Sequence, residues 1–108
     1  MKPDKALQML GMAQRAGAVK SGEFMTENSV KAGSAFLVVV ASDSSDNTKK
    51  QFENMCEHYN VPLRFYSDKE ALGHCIGKEF RASLAVTNEG LADKIMSIMD
   101  QGQKDEVL

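Results

Sequence analysis

The chain has 108 residues, 43% of them apolar and 26% charged, the composition of a globular domain large enough to bury a core without metal or disulfide. It holds no apolar run long enough to cross a bilayer and no apolar signal core behind its charged start, so a cytoplasmic location and no membrane partner are expected. A formal charge of −2 and a pI near 5.6 argue against broad nucleic-acid affinity, which needs many neutralised phosphates, but leave room for a local basic patch.

In chain order, DKALQMLGMAQRAG predicts a first helix. Asp4 is placed to cap it, Ala6, Leu7, Leu10 and Ala13 recur at helical spacing, and Gly17 ends it. AVKS reads as a short strand. Ser21 or Gly22 then opens a second helix that stops at Gly33. AFLVVVA is a continuous β-branched run, the pattern of a strand buried on both faces. After the polar SDSSDN, a third helix aligns Thr48, Phe52, Met55, Cys56 and Tyr59. VPLRFY is a less apolar strand. SDKEALGHCIG begins with the capping box Ser67-x-x-Glu70 and stops at Gly77. ASLAVT is another buried strand. Asn88 caps a last helix with Leu91, Ile95, Ile98 and Met99 as its apolar stripe. Residues 101–108 are polar and expected to fray, leaving residues 1–100 as one domain. Repeated strand–helix alternation implies helices on both faces of a mostly parallel or mixed sheet, an α/β/α sandwich.

Recognisable catalytic patterns are missing. No glycine-rich phosphate loop follows a strand, and no serine sits in a nucleophile elbow. Cys56, His58, His74 and Cys75 form the nearest thing to a metal set, but within each pair the side chains diverge on a helix, so no metal or other cofactor is expected. The cysteines read as buried free thiols. Asp43 and Asp46 follow a strand end, where α/β proteins often bind ligands, yet a turn and helix-start role explains them better.

Two stretches stand out. In GEFMTENSVKAG, Thr26, Ser29, Val30 and Gly33 share one narrow helical face suited to packing on the sheet. Met25 lies at the edge of that face and is expected in the core. Phe24, Asn28 and Lys31 fall on the opposite side, which leaves an exposed ring on the first turn, close to Lys20. A helix start offers free N–H groups and partial positive charge, and binds phosphates readily. Lys20 and Phe24 there would make a platform for an unstacked base. IGKEFRAS repeats the theme: Phe80 lies between Lys78 and Arg81 in a loop before a buried strand, although a ring tucked over the sheet end fits equally well.

The order and spacing of Leu10 to Gly17, Ser21 to Glu23, Leu37 to Ala41, Asn47 to Lys49, Cys56 to Pro62, Leu72 to Glu79 and Ala85 to Thr87 resemble the bacterial YlxQ-type branch of the L-seven-Ae ribosomal protein superfamily, which binds kink-turn RNA. The likeness covers nearly everything from Lys5 to Met99. It implies a three-layer α/β/α fold around a mostly four-stranded mixed sheet. It also implies RNA binding without catalysis, and association with ribosomes or other ribonucleoproteins. Kink-turn binders open the second helix with a Gly-x-Asn-Glu-like motif, whose glycine admits the RNA backbone and whose polar pair reads tandem G·A pairs. Gly22 matches the glycine, but Phe24 and Met25 replace the polar pair. Lys20 matches a basic residue beside the RNA, and Ile76 to Arg81 match a loop that approaches a flipped nucleotide.

The expected RNA surface is therefore Lys20, Ser21, Gly22, Glu23, Phe24, Asn28 and Lys31 with Ile76, Gly77, Lys78, Phe80 and Arg81. Lys31 is included on charge alone. Loss of the polar pair predicts binding weaker or less selective for kink-turns, because base-edge contacts specify while phosphate contacts position. The expected state is a monomer whose partners are RNA and ribosomal proteins. The alternative is a protein-interaction module that kept the fold and lost kink-turn binding, since exposed aromatics also mark protein interfaces. An enzyme on the same scaffold ranks last.

Overall fold

A computed structural model of the chain describes residues 4–107, with side chains to residue 102. Five helices surround a four-stranded sheet in the order α1 (Lys5–Arg15), β1 (Val19–Ser21), α2 (Glu23–Lys31), β2 (Leu37–Val40), α3 (Asp46–Tyr59), β3 (Leu63–Phe65), α4 (Lys69–Cys75), β4 (Ser83–Val86) and α5 (Glu89–Val107). The strands lie in the order β1-β4-β2-β3. β4 runs antiparallel to both β1 and β2, while β3 runs parallel to β2. The sheet is thus mixed.

Hydropathy explains which strands are central. LVVV and SLAV are buried along their whole length, as a strand covered on both faces must be. VKS and LRF carry a cation each and occupy the edges. Side chains alternate between the faces. Leu37, Val39, Leu84 and Val86 pack with Leu10 of α1, Leu72 of α4 and Ile95 of α5. Val38, Val40 and Ala85 pack with Val30 of α2 and Phe52 and Cys56 of α3. This is a three-layer α/β/α arrangement. Full burial of one ring such as Phe52 stabilises it by roughly 1.5–3 kcal/mol.

Two local expectations are corrected. The cap of α4 is Asp68, whose carboxylate accepts from the Ala71 amide at 2.7 Å. Ser67 instead turns the chain with φ 60°, and its carbonyl accepts from the Ser42 amide. The exit from β3 needs that left-handed step, so the helix starts one residue late. At the other end, the backbone from Gln101 continues α5 to Val107, since the helix-forming Gln, Lys and Glu outweigh the single Gly102. Leu108 lies outside the described residues.

The antiparallel β1–β4 pairing matters most for function. It sets Ser21 opposite Leu84, so β1 ends where β4 begins. The start of α2 and the loop before β4 therefore meet at one rim of the sheet.

Candidate RNA interface

Gly22 is the hinge of this rim. It holds φ 92° and ψ 158°, a region open essentially to glycine alone. Its amide donates to the Ser83 carbonyl at 2.9 Å, and its carbonyl accepts from Thr26 at 3.0 Å. Glycine gives α2 no side-chain cap, whereas side-chain oxygens of Asp4, Ser45, Asp68 and Asn88 accept from the first turns of α1, α3, α4 and α5. The amides of Glu23, Phe24 and Met25 accordingly have no acceptor among the described residues. They present three outward donors and the positive end of the α2 dipole.

Around them stand the side chains expected from the sequence. Phe24 is 71% exposed and Phe80 59% exposed, so neither ring is part of the core. Thr26, Ser29 and Val30 are the buried face of α2. Met25 is corrected: at 41% exposure it lies outside the core, because the small buried face brings α2 close to the sheet and leaves no room for a long side chain beside it. Lys20, Glu23, Asn28 and Lys78 are exposed. Glu23 is drawn toward α3, where its Oε1 accepts from Gln51 Nε2 at 3.0 Å.

Arg81 ties the two segments together. Its Nε donates to Ser21 Oγ at 3.1 Å and its Nη1 to the Phe80 carbonyl at 2.7 Å. No carboxylate lies within ion-pair distance of it among the described residues, so its charge stays available to an anion. Two backbone bonds fix the loop to α4: the Lys78 amide to the Gly73 carbonyl at 2.8 Å and the Arg81 amide to the Lys69 carbonyl at 3.0 Å. Gly77 makes the turn between them with φ 78°. Gly73 is bare for a reason, because a Cβ there would stand 2.7 Å from the Glu79 carbonyl oxygen and 2.8 Å from the Phe80 nitrogen. Two buried hydroxyls, of Thr26 and Ser83, lack partners among the described residues, and both belong to residues whose backbones bond Gly22.

Two expected contacts move away from the surface patch. The Ile76 side chain is 5% exposed and packs in the α1–α4–α5 layer, so only its backbone belongs to the loop. Lys31 sits at the far end of α2, about 12 Å along the axis, and its Nζ pairs with Glu27 at 2.7 Å. That bond raises its pKa. Sequence reasoning missed Gln51 and Gly73. Gln51 is 28 residues from Glu23 and carries no local signal. Gly73 does carry one, since a glycine inside a helix weakens it unless packing requires it.

The residues weighed for other chemistry serve the fold. Cys56 packs with the α2–α3 layer and Cys75 with the opposite one. No three His, Cys, Asp or Glu side chains converge to hold a metal among the described residues. Asp43 accepts from the Lys69 amide at 3.0 Å, a tie between the turn after β2 and the start of α4. No described helix is long and apolar enough to cross a membrane.

Known proteins are similar to this chain in sequence or in fold. The RNA-binding protein YlxQ of Bacillus subtilis (strain 168) is 39% identical over 92 residues, spanning 85% of this chain and 92% of that protein. YlxQ of Enterococcus faecium is 33% identical over 97 residues, spanning 89% and 92%. A solved structure from Bacillus halodurans, of a protein with unknown function, superposes with a TM-score of 0.88 at 32% identity over 91% of this chain and 99% of the other. The Giardia lamblia 15.5kD RNA binding protein shares the fold at a TM-score of 0.74 and 23% identity, over 88% and 82%. With residues 4–96 matching its pattern, the chain belongs to the ribosomal protein L7Ae/L30e/S12e/Gadd45 family.

Proposed function

We propose that this protein binds structured RNA without catalysis, at the rim formed by the α2 start and the loop before β4, as a component of ribosomal or other ribonucleoprotein assemblies in the cytoplasm. One observation carries the reading: the bonds from Arg81 to Ser21 and from Gly22 to Ser83 join two aromatic-bearing edges around uncapped helix amides. Phosphate meets the amides and the charges of Lys20, Lys78 and Arg81. Unstacked bases meet Phe24 and Phe80. The relatives named as RNA-binding proteins support the same reading.

Phe24 and Met25 supply no base-edge hydrogen bonds, so affinity rests on stacking and charge, and kinked RNA is preferred only modestly. A titration of kink-turn RNA and plain duplex at several salt concentrations tests this. Three cations predict a log–log salt slope of about −2 to −3. No binding of either RNA at low salt would overturn the reading. The exposed apolar trio of Phe24, Met25 and Phe80 favours a second reading, a protein-interaction surface in the same place. Co-purifying proteins that survive nuclease treatment, together with a flat RNA titration, would select it.

A further inference from the structure

The opposite end of the sheet carries a groove of different chemistry. It lies where α2 ends, α3 ends, β2 and β3 begin and α5 begins. Two adjoining cavities of about 460 and 520 Å³ share Asn60, Val61 and Pro62. Their apolar floor includes Phe36, 36% exposed, and Tyr59, 42% exposed, with half-buried Met96 from α5. Side chains of this size are left open although the core beside them is closed.

The rim of the groove is acidic. Glu53 and Glu57 line it from α3, Glu89 and Asp93 from α5. None of the four forms an ion pair among the described residues. The one cation among the lining residues, Lys31, is engaged by Glu27. A carboxylate rim over an apolar floor repels RNA, and it repels the same groove of a second copy, which would bring a like set of charges. It complements a chain that offers apolar and cationic side chains together.

We propose that this groove docks an extended segment of a partner protein in which aliphatic or aromatic residues alternate with lysine or arginine. The apolar side chains occupy the floor at Phe36, Tyr59 and Met96, and the cations lie along the Glu53–Glu57 and Glu89–Asp93 rims. The proposal does not depend on RNA binding at the other rim, because α2 separates the two surfaces by its full length. Both can be occupied together.

The test is NMR titration of the full chain with a synthetic peptide repeating Lys-Leu-Lys-Phe, which in an extended chain sets every apolar side chain on one face. Saturable shifts should cluster at Phe36, Tyr59 and Met96. The combined change Glu53→Gln, Glu57→Gln, Glu89→Gln and Asp93→Asn should weaken binding by roughly tenfold, as four exposed pairs would. A peptide with serine in place of leucine and phenylalanine should not bind. If the combined variant fails to fold, Tyr59→Ala should weaken the peptide on an unchanged spectrum. Shifts that map instead to Phe24 and Phe80, equal binding of the serine peptide, unchanged affinity of the variants, or the same shifts on raising protein concentration alone would each overturn the proposal.

Discussion

Phe24 has no packing role, and that decides what its loss should do. A ring 71% exposed contributes little to stability, so Phe24→Ala is expected to change it by less than about 0.5 kcal/mol. Stacking on one base is worth roughly 1–3 kcal/mol, so RNA affinity should fall about 5- to 150-fold. Paired thermal melts and RNA titrations check both halves, and a large loss of stability would return the ring to the core. The cysteines behave oppositely. Burial pushes both thiols from 9.0 up to about 11, and Asp4 adds to the shift at Cys75. Well below pH 9.0 both are mostly neutral whether the chain is folded or not; between 9.0 and about 11 the unfolded chain ionises first, so their contribution to stability is lost as pH rises through that window. At mildly alkaline pH the folded thiolate is about a hundredfold scarcer than in urea. Iodoacetamide should therefore label the native protein far more slowly than the unfolded chain, and equal rates would contradict the burial.

The loop before β4 stays in place because α4 makes room for it. Gly73→Ala would drive a Cβ into the backbone of Glu79 and Phe80, neither of which is a flexible side-chain end. The expected loss is about 1–3 kcal/mol of stability, as for other overpacked sites. RNA affinity should fall as well, since Phe80 and Arg81 move with the loop. Gly90→Ala is the control, because its Cβ would meet only the Asn88 side chain at 3.5 Å. Denaturant melts of the two variants separate the effects, and a Gly73→Ala protein as stable as the parent would show that the loop yields freely. The helices themselves follow their sequence closely: Asp4 and Asn88 cap where expected, and Ala6, Leu10 and Ala13 form the inner face of α1. Met25 was misplaced because a helical wheel gives direction around the axis but not the distance to the sheet beneath.

Across the molecule, order is uneven in a way hydrogen exchange can read. Amides of Leu37–Val40 and Leu84–Val86 lie in the doubly covered centre and should exchange only on global unfolding. Those of Glu23, Phe24 and Met25 have no acceptor among the described residues and should exchange fast. Bound RNA should slow these three, and RNA that binds without protecting them would place the contact elsewhere. Much of this architecture is legible in the residues alone. Element types, the buried central strands, most caps and the outward face of α2 follow from local periodicity, because hydrophobic spacing and capping act over a few residues. Strand order was not legible, nor were Gln51 beside Glu23 or the acidic groove, since each depends on how distant elements pack; the place of Lys31 at the far end of α2 follows from helix rise alone and was legible. Arg81 reaches Ser21 across 60 residues only because β1 and β4 run antiparallel. The sequence by itself thus determined the pieces and their exposed rings, while the tertiary structure decided which pieces share a surface, as pairing is a contest among long-range contacts that no local pattern encodes.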